Sequence, residues 1–479
     1  MLNGREGSLL GASWACRRML RFVLIIVVSA TFVALLWPSS EPQNTVLGRA
    51  NITISSDIKC ELNLDMLHKL HVRKVGQYIR REIVVDVTDD PVPMTQRLDQ
   101  AFMDLKPPKE PITDMQDGPH DSCSIPIPVA VQVPKPPKMV DASHIDFGVA
   151  TSVERLNESL DQMAHWAGYT RTRIFALVEP EETPNAIERV RAKADALGIN
   201  LIVTESDDDF LTRYFALISL LESHTREQTK WACMIDDDTF FLSMSDLVET
   251  LSHYDHTKSI YMGGVSEGVP QISVFGLIAF GGGGIFLSRP LLRELDSVSG
   301  ECQQMPLTGD RRVANCVYQY TTTRLTIEHR LHQLDLMRDA SGFFESGREP
   351  PLSVHHWKSW FKADMPKLGV ISEICGDTCL LRRWHFSDGW ILTNGYSIIH
   401  YSWDPEPGDV TMEKTWESHN GATNENYLHE LGPLRNKDVD KVTYQLRDAV
   451  LEPNGRVTQW YVRPHYKGDR VLELSWRKR

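Results

Sequence analysis

With 479 residues, the chain is long enough for one large catalytic domain with appendages, or for two or three ordinary domains. Its 51 Lys and Arg against 64 Asp and Glu leave a net charge of -13, which excludes a protein whose main partner is the phosphate backbone of a nucleic acid.

The first predicted element is the uncharged run FVLIIVVSATFVALLW at 22–37, lengthened by Met19 and Leu20 if Arg21 reaches the headgroups. Pro38-Ser39-Ser40 follows without a small-x-small cleavage pattern, so 19–37 is expected to be an uncleaved transmembrane anchor; a cleaved signal peptide is the alternative. Arg5, Arg17, Arg18 and Arg21 precede the run against Glu6, which places residues 1–18 in the cytosol and the rest in a lumen. The sequons at Asn51 and Asn157 fit that compartment. There, Cys60, Cys123, Cys233, Cys302, Cys316, Cys375 and Cys379 would meet oxidising conditions. Sequence proximity suggests the pairs Cys302 with Cys316 and Cys375 with Cys379, while Cys233, in an apolar segment, is the candidate free thiol.

Residues 38–143 lean towards proline and charge and are expected to be a stem, with a helix over 62–82 and extended linker elsewhere. From 144 to 402 short β-rich runs alternate with helical stretches. Strands are predicted at 147–151, 173–178, 200–204 and 231–235, with helices at 153–167, 184–197 and 210–222 between them. That order gives a mostly parallel α/β sheet with helices on its faces, whose ligands belong beyond the carboxyl ends of the strands. The block at 382–401, with its Asp388-Gly389 and Asn394-Gly395 turns, predicts a hairpin. Residues 403–479 are expected to form a small β-rich appendage, with strands at 442–446, 456–462 and 470–474.

The segment WACMIDDDTFF at 231–241 places Asp236, Asp237 and Asp238 at such a strand end. Three adjacent carboxylates repel one another, and apolar flanks make a compensating cation the natural explanation. Oxygen ligands suit Mn2+ or Mg2+, which commonly bridge to substrate phosphates. A solvated turn or helix cap at Asp238 or Thr239 is the alternative. The second triplet, Asp207-Asp208-Asp209, precedes a helix and is expected to cap it. The run FGGGGIFLS at 280–288 would let backbone approach a ligand closely, because glycine carries no Cβ. The tryptophans Trp231, Trp357, Trp360 and Trp384 read as core.

WACMIDDDTFF, the upstream FLTRYFAL and the downstream FGGGGIFLSRPLL together resemble the fringe-like β-1,3-glycosyltransferase family, in particular its fungal and plant-type members. The resemblance implies a GT-A, Rossmann-like fold, a UDP-sugar donor, manganese dependence and inversion at the anomeric carbon. It gives Asp236 and Asp237, with Gly282 and Gly283, to the nucleotide sugar, and Asp236 and Asp238 to the metal. HQLDLMRDASGFFESGREPPLSVHHW at 332–357 is similar to the family's last motif, which supplies a histidine near the metal, so His355 and His356 are candidates. Alternation along a strand would let only one of them enter the site. The family's catalytic base lies in an acidic pair after the glycine loop; here TGDRRV at 308–313 offers Asp310 alone, with a helix cap as its other role. The acceptor is then a glycan or glycoprotein hydroxyl and the location a Golgi membrane, type II. A non-catalytic sugar-binding relative and a metal-dependent phosphohydrolase remain as alternatives.

Overall fold

The strand Trp231–Ile235 is apolar and buried at every position, which requires cover on both faces. The computed structural model, which describes residues 62–103, 127–136, 140–181, 183–403, 411–417 and 429–479, provides it. Trp231–Ile235 lies inside a seven-stranded sheet ordered Leu325–Ile327, Tyr261–Gly263, Ile285–Ser288, Trp231–Ile235, Ile145–Thr151, Arg173–Val178, Asn200–Glu205. All neighbours run parallel except Ile285–Ser288, which is antiparallel to both strands beside it. Side chains alternate between two cores: Trp231, Cys233 and Ile235 enter one, Ala232 and Met234 the other.

The helices Val153–Ala167 and Ala186–Ala196 pack into the first core. Phe210–Ser223, Arg289–Ser297 and Gly309–Tyr320 pack into the second. The predicted βαβαβαβ order is therefore present, with boundaries moved by one or two residues. Local chemistry fixes the helix starts: Ser152 Oγ accepts from the Arg155 amide at 3.2 Å, and Asp209 caps Phe210–Ser223 through the Leu211 and Thr212 amides. The second aspartate triplet thus ends in a cap, as expected.

The segments expected as stem and appendage form something different. Val75–Thr88 is a fourteen-residue strand, and the helix expected over 62–82 shrinks to Leu64–Lys69. Val75–Thr88 runs parallel between Asp469–Lys478 and Ile127–Pro134 in a nine-stranded sheet. That sheet continues through Val457–Arg463, Val442–Leu451, Ser397–His400, Trp390–Thr393 and Arg383–Phe386 to Thr95–Leu98. Strands from 75–134, 383–400 and 442–478 thus share one hydrogen-bonded ladder, because each alone would leave an apolar face and open edges. The expected single hairpin is a three-stranded meander turning at both Gly389 and Gly395. Gln96 and Gln132, on the two edge strands, bond to each other at 3.2 and 3.3 Å, drawing the edges together. Helix Met365–Cys375 lies against this sheet and against Val153–Ala167, so one apolar core runs from Phe147 and Trp166 to Trp384 and Trp476.

Cys302 is bonded to Cys316 and Cys375 to Cys379, and Cys233 is a buried free thiol. Among the described residues no helix is long and apolar enough to cross a membrane. The expected anchor at 19–37, Asn51 and Cys60 and Cys123 lie outside them.

Candidate active site

At Ile235 the apolar strand stops, because three carboxylates cannot continue into the core. The chain turns on itself: the Thr239 amide donates to the Asp236 carbonyl at 3.1 Å, and the Asp236 amide donates to Thr239 Oγ1 at 3.1 Å. No helix begins there, so neither Asp238 nor Thr239 is a cap. The two-residue strand Phe240–Phe241 then pairs antiparallel with Ser353–Val354, which brings His355 back over the triplet.

His355 Nε2 lies 2.9 Å from Asp238 Oδ1 and 3.3 Å from Asp236 Oδ2. Burial disfavours charge on this imidazole, but the two carboxylates outweigh it and push its pKa up to about 10. Asp238 is likewise penalised by burial, yet the hydrogen bond and charge of His355 hold it below the usual carboxylate range. The Trp357 indole donates to the Asp238 carbonyl at 2.6 Å and fixes the turn from below. Ligand atoms of Asp238, His355 and His356 lie within 4.8 Å of one another.

Both histidines therefore sit here, against the alternation expected of a strand. The strand ends at Val354, and His356 takes a left-handed φ of 60°, which brings the two rings together, tilted by 38° with centroids 3.8 Å apart. His356 also stacks on Trp360 and turns Nε2 to Asp335 Oδ1 at 3.3 Å.

Asp237 is placed differently from its neighbours. Its carboxylate takes Arg155 Nε at 2.6 Å and Nη2 at 2.5 Å, and the Thr151 hydroxyl donates to the same group. Gln162 Nε2 donates to its carbonyl at 3.0 Å.

The glycine run is a seat rather than a wall of the cavity. A Cβ on Gly282 would fall inside the His355 ring, and one on Gly281 would run into the Tyr214 hydroxyl. Thr239 Oγ1 donates to the Gly282 carbonyl at 3.0 Å and Ser353 Oγ to that of Gly283 at 2.6 Å. Gly282 and Gly283 are buried, and in this structure they pack against the protein itself.

Asp310 stands in the first turn of Gly309–Tyr320, where the cap position belongs to Thr308. The Tyr214 hydroxyl donates to Asp310 Oδ1 at 2.6 Å, and the Gly281 amide bonds to the same carboxylate. Burial, and then the charge of Asp236, push the Asp310 pKa up to about 6 against those two hydrogen bonds. Since Gly281 touches Asp310 and Gly282 touches His355, consecutive residues join the carboxylate to the histidine group.

Beside these groups opens a cavity of about 620 Å3. Asp236, Asp237, Asp238, His355 and His356 line it together with Ala150, Thr151, Ser152, Arg155, Glu179 and Arg213. It lies beyond the carboxyl ends of Ile145–Thr151, Arg173–Val178 and Trp231–Ile235, where open α/β sheets take ligands. Arg155 was not singled out in the sequence, and Trp357 and Thr239 were read there as core and as a possible cap. Tyr214 lay within FLTRYFAL without a role. The tryptophans expected as core are buried at Trp231, Trp357 and Trp384, while Trp360 is half-buried against His356.

The family model described as Fringe-like matches residues 190–362, which hold the triplet, the glycine run, Asp310 and both histidines. A β-1,3-glucosyltransferase of Mus musculus is 26% identical over 165 residues, covering 33% of this chain and 32% of that protein. The Homo sapiens β-1,3-glucosyltransferase is 25% identical over 165 residues, covering 33% and 31%. The match thus spans about a third of the length of these relatives. Among solved structures, a mannosyltransferase from Pyrobaculum calidifontis in complex with GDP-Man and Mn2+ is similar at a TM-score of 0.27 and 14% identity, covering 45% of this chain and 64% of that one. Residues 190–362 of this chain are a Fringe-like domain, weakly homologous to β-1,3-glucosyltransferases.

Proposed function

We propose that the protein is a metal-dependent, inverting glycosyltransferase that moves a sugar from a UDP-sugar to an acceptor hydroxyl, forming a β-1,3 linkage on a glycan or glycoprotein. The observation that carries this is the glycine seat: a carboxylate of raised pKa and a carboxylate–histidine group contact neighbouring residues of one buried turn. An inverting transfer needs such a pair, one group to take the acceptor proton and one to manage the leaving diphosphate.

The donor set suits a divalent cation. Asp238, Asp236 and His355 offer two hard oxygens and an imidazole nitrogen, and a cation among them would balance the two carboxylates. When bound, the cation supplies charge compensation for the departing diphosphate, and the mixed nitrogen and oxygen donors favour Mn2+ over Mg2+. Asp310, oriented by the Tyr214 hydroxyl and the Gly281 amide, would accept the acceptor's hydroxyl proton. The paired cysteines support an oxidising lumen, the setting that a Golgi type II anchor at 19–37 would supply.

The test is nucleotide release from a panel of UDP-sugars with Mn2+, for the wild type and for Asp238→Ala. Release by the wild type and at least a 100-fold loss in the variant, with an unchanged circular dichroism spectrum, are expected. An Asp238→Ala variant as active as wild type, with or without metal, contradicts the assignment.

A further inference from the structure

At one end of the nine-stranded sheet two like charges face each other. Val457–Arg463 and Asp469–Lys478 pair antiparallel with Arg463 directly opposite Arg470, an arrangement that weakens a ladder unless something compensates the charge. Both strands are interior to the sheet, so these arginines do not guard an edge. Further along the same ladder arginines meet acids: Arg80 meets Glu473, Arg456 and Arg477 meet Glu82, and Arg479 meets Asp86. Here, in a chain of net charge -13, the connecting turn adds His465 and Lys467 instead. Among the described residues none of Arg463, Lys467 and Arg470 forms an ion pair. The nearby acid, Asp469, accepts the His465 amide at 3.1 Å.

The pair is built into the sheet. Gln445 pairs with Val462, which sets Tyr444 beside Arg463. The buried Tyr444 hydroxyl is hydrogen-bonded to Arg470 and feels the charge of both guanidinium groups. A planar fork anchored in this way presents its remaining donors in a fixed direction. The half-buried Trp390 ring stands edge-on to Tyr444, with centroids 5.8 Å apart. Trp390, His400 and Val442 form one cross-strand row, and Tyr444, two residues beyond Val442, lies on the same face.

An indole beside two oriented cations can take an apolar ring face and an acid of one ligand together, which is what a charged sugar offers. A half-buried ring favours a slender chain over a flat bilayer. We infer that Arg463, Arg470 and Trp390 form a second binding site, for a saccharide that carries carboxylate or sulfate groups. The site shares none of these residues with the lining of the cavity above, and it does not depend on the donor reading.

The experiment measures binding to the full chain by calorimetry with four probes: a heparin hexasaccharide, maltohexaose, inorganic sulfate and dioctanoyl phosphatidylserine. The heparin hexasaccharide is expected to bind, and the other three to bind at least about 10-fold more weakly. Arg463→Ser and Arg470→Ser should each weaken the hexasaccharide about 10-fold and flatten its dependence on NaCl. Trp390→Ala should weaken it about 10-fold with the salt dependence unchanged, while Trp390→Tyr, which keeps an aromatic face, retains most of the affinity. Circular dichroism and thermal midpoints like those of the wild type accompany each variant. No binding of the hexasaccharide, equal binding of sulfate or of the lipid, or an affinity that survives Arg463→Ser combined with Arg470→Ser overturns the inference. An affinity that Trp390→Ala leaves unmoved overturns it too, since the surface then attracts any polyanion.

Discussion

Tyr214 and Asp310 show how one hydroxyl sets the working range of a carboxylate. Burial and Asp236 raise the Asp310 pKa, and the Tyr214 hydrogen bond opposes them. As a base Asp310 must be ionised, so kcat/KM should fall as pH drops through about 6, or somewhat lower once a cation screens Asp236. Tyr214→Phe removes a bond that favours the ionised form, so the acidic limb of the pH profile should move to higher pH by about 0.5 to 1 unit. A profile that falls in height without moving would mean that Tyr214 serves packing alone. At this scale His355 and Asp310 were named only through the family resemblance, whereas the aspartates were legible because charge beside apolar flanks is a signal in one dimension. Arg155 and Trp357 were not, because their significance comes from contacts with Asp237 and Asp238 across long stretches of chain.

Among the elements, the buried turn at Gly281–Gly283 is where the site is assembled. Gly282 faces the His355 ring so closely that any Cβ must displace the imidazole. Gly282→Ala should therefore lower Mn2+ affinity at least 10-fold while the far-ultraviolet circular dichroism stays that of the wild type; retained affinity would show that His355 is dispensable to the metal group. The sequence predicted closeness here but assigned it to a ligand, since a glycine pressed by a side chain and one pressed by a sugar look alike in a string of letters. The strands and helices of 145–235 were legible from their alternation, each strand being an apolar run with turn residues at its ends. Val75–Thr88 was not. Arg80, Arg81 and Glu82 fell within a stretch read as a stem helix, whereas Arg80 pairs with Glu473, Glu82 with Arg456 and Arg477, and Arg81 is buried with its guanidinium on the Phe102 carbonyl. Partners that far along the chain satisfy those charges, and no local pattern announces them.

For the molecule as a whole, the nine-stranded sheet and the Fringe-like region share a core, and a buried ionic knot secures the seam. Lys441 reaches Glu345 at 2.9 Å and Glu413 at 2.7 Å, with both carboxylates 1% exposed. Glu345 precedes the proposed histidine ligands in the chain, while Lys441 immediately precedes Val442–Leu451, the first of the last three strands. Lys441→Met would leave two buried carboxylates facing each other and should cost about 3–5 kcal/mol. Burial already pushes the Glu345 carboxyl above its ordinary value, so in the variant protonation relieves the strain and the deficit should shrink as pH falls. Urea midpoints at pH 7.5 and 5.5 measure both effects; equal stability of variant and wild type at pH 7.5 would dismiss the knot as decoration.

The parallel ladder between Val75–Thr88 and Asp469–Lys478 also imposes an order on biosynthesis. A ribosome releases Ile79, Ile83 and Val85 early, yet the neighbour that covers their strand on one side does not exist until the message has been translated through codon 478. For that whole interval only Ile127–Pro134 can pair with the strand, so the sheet closes after the last strand has been made.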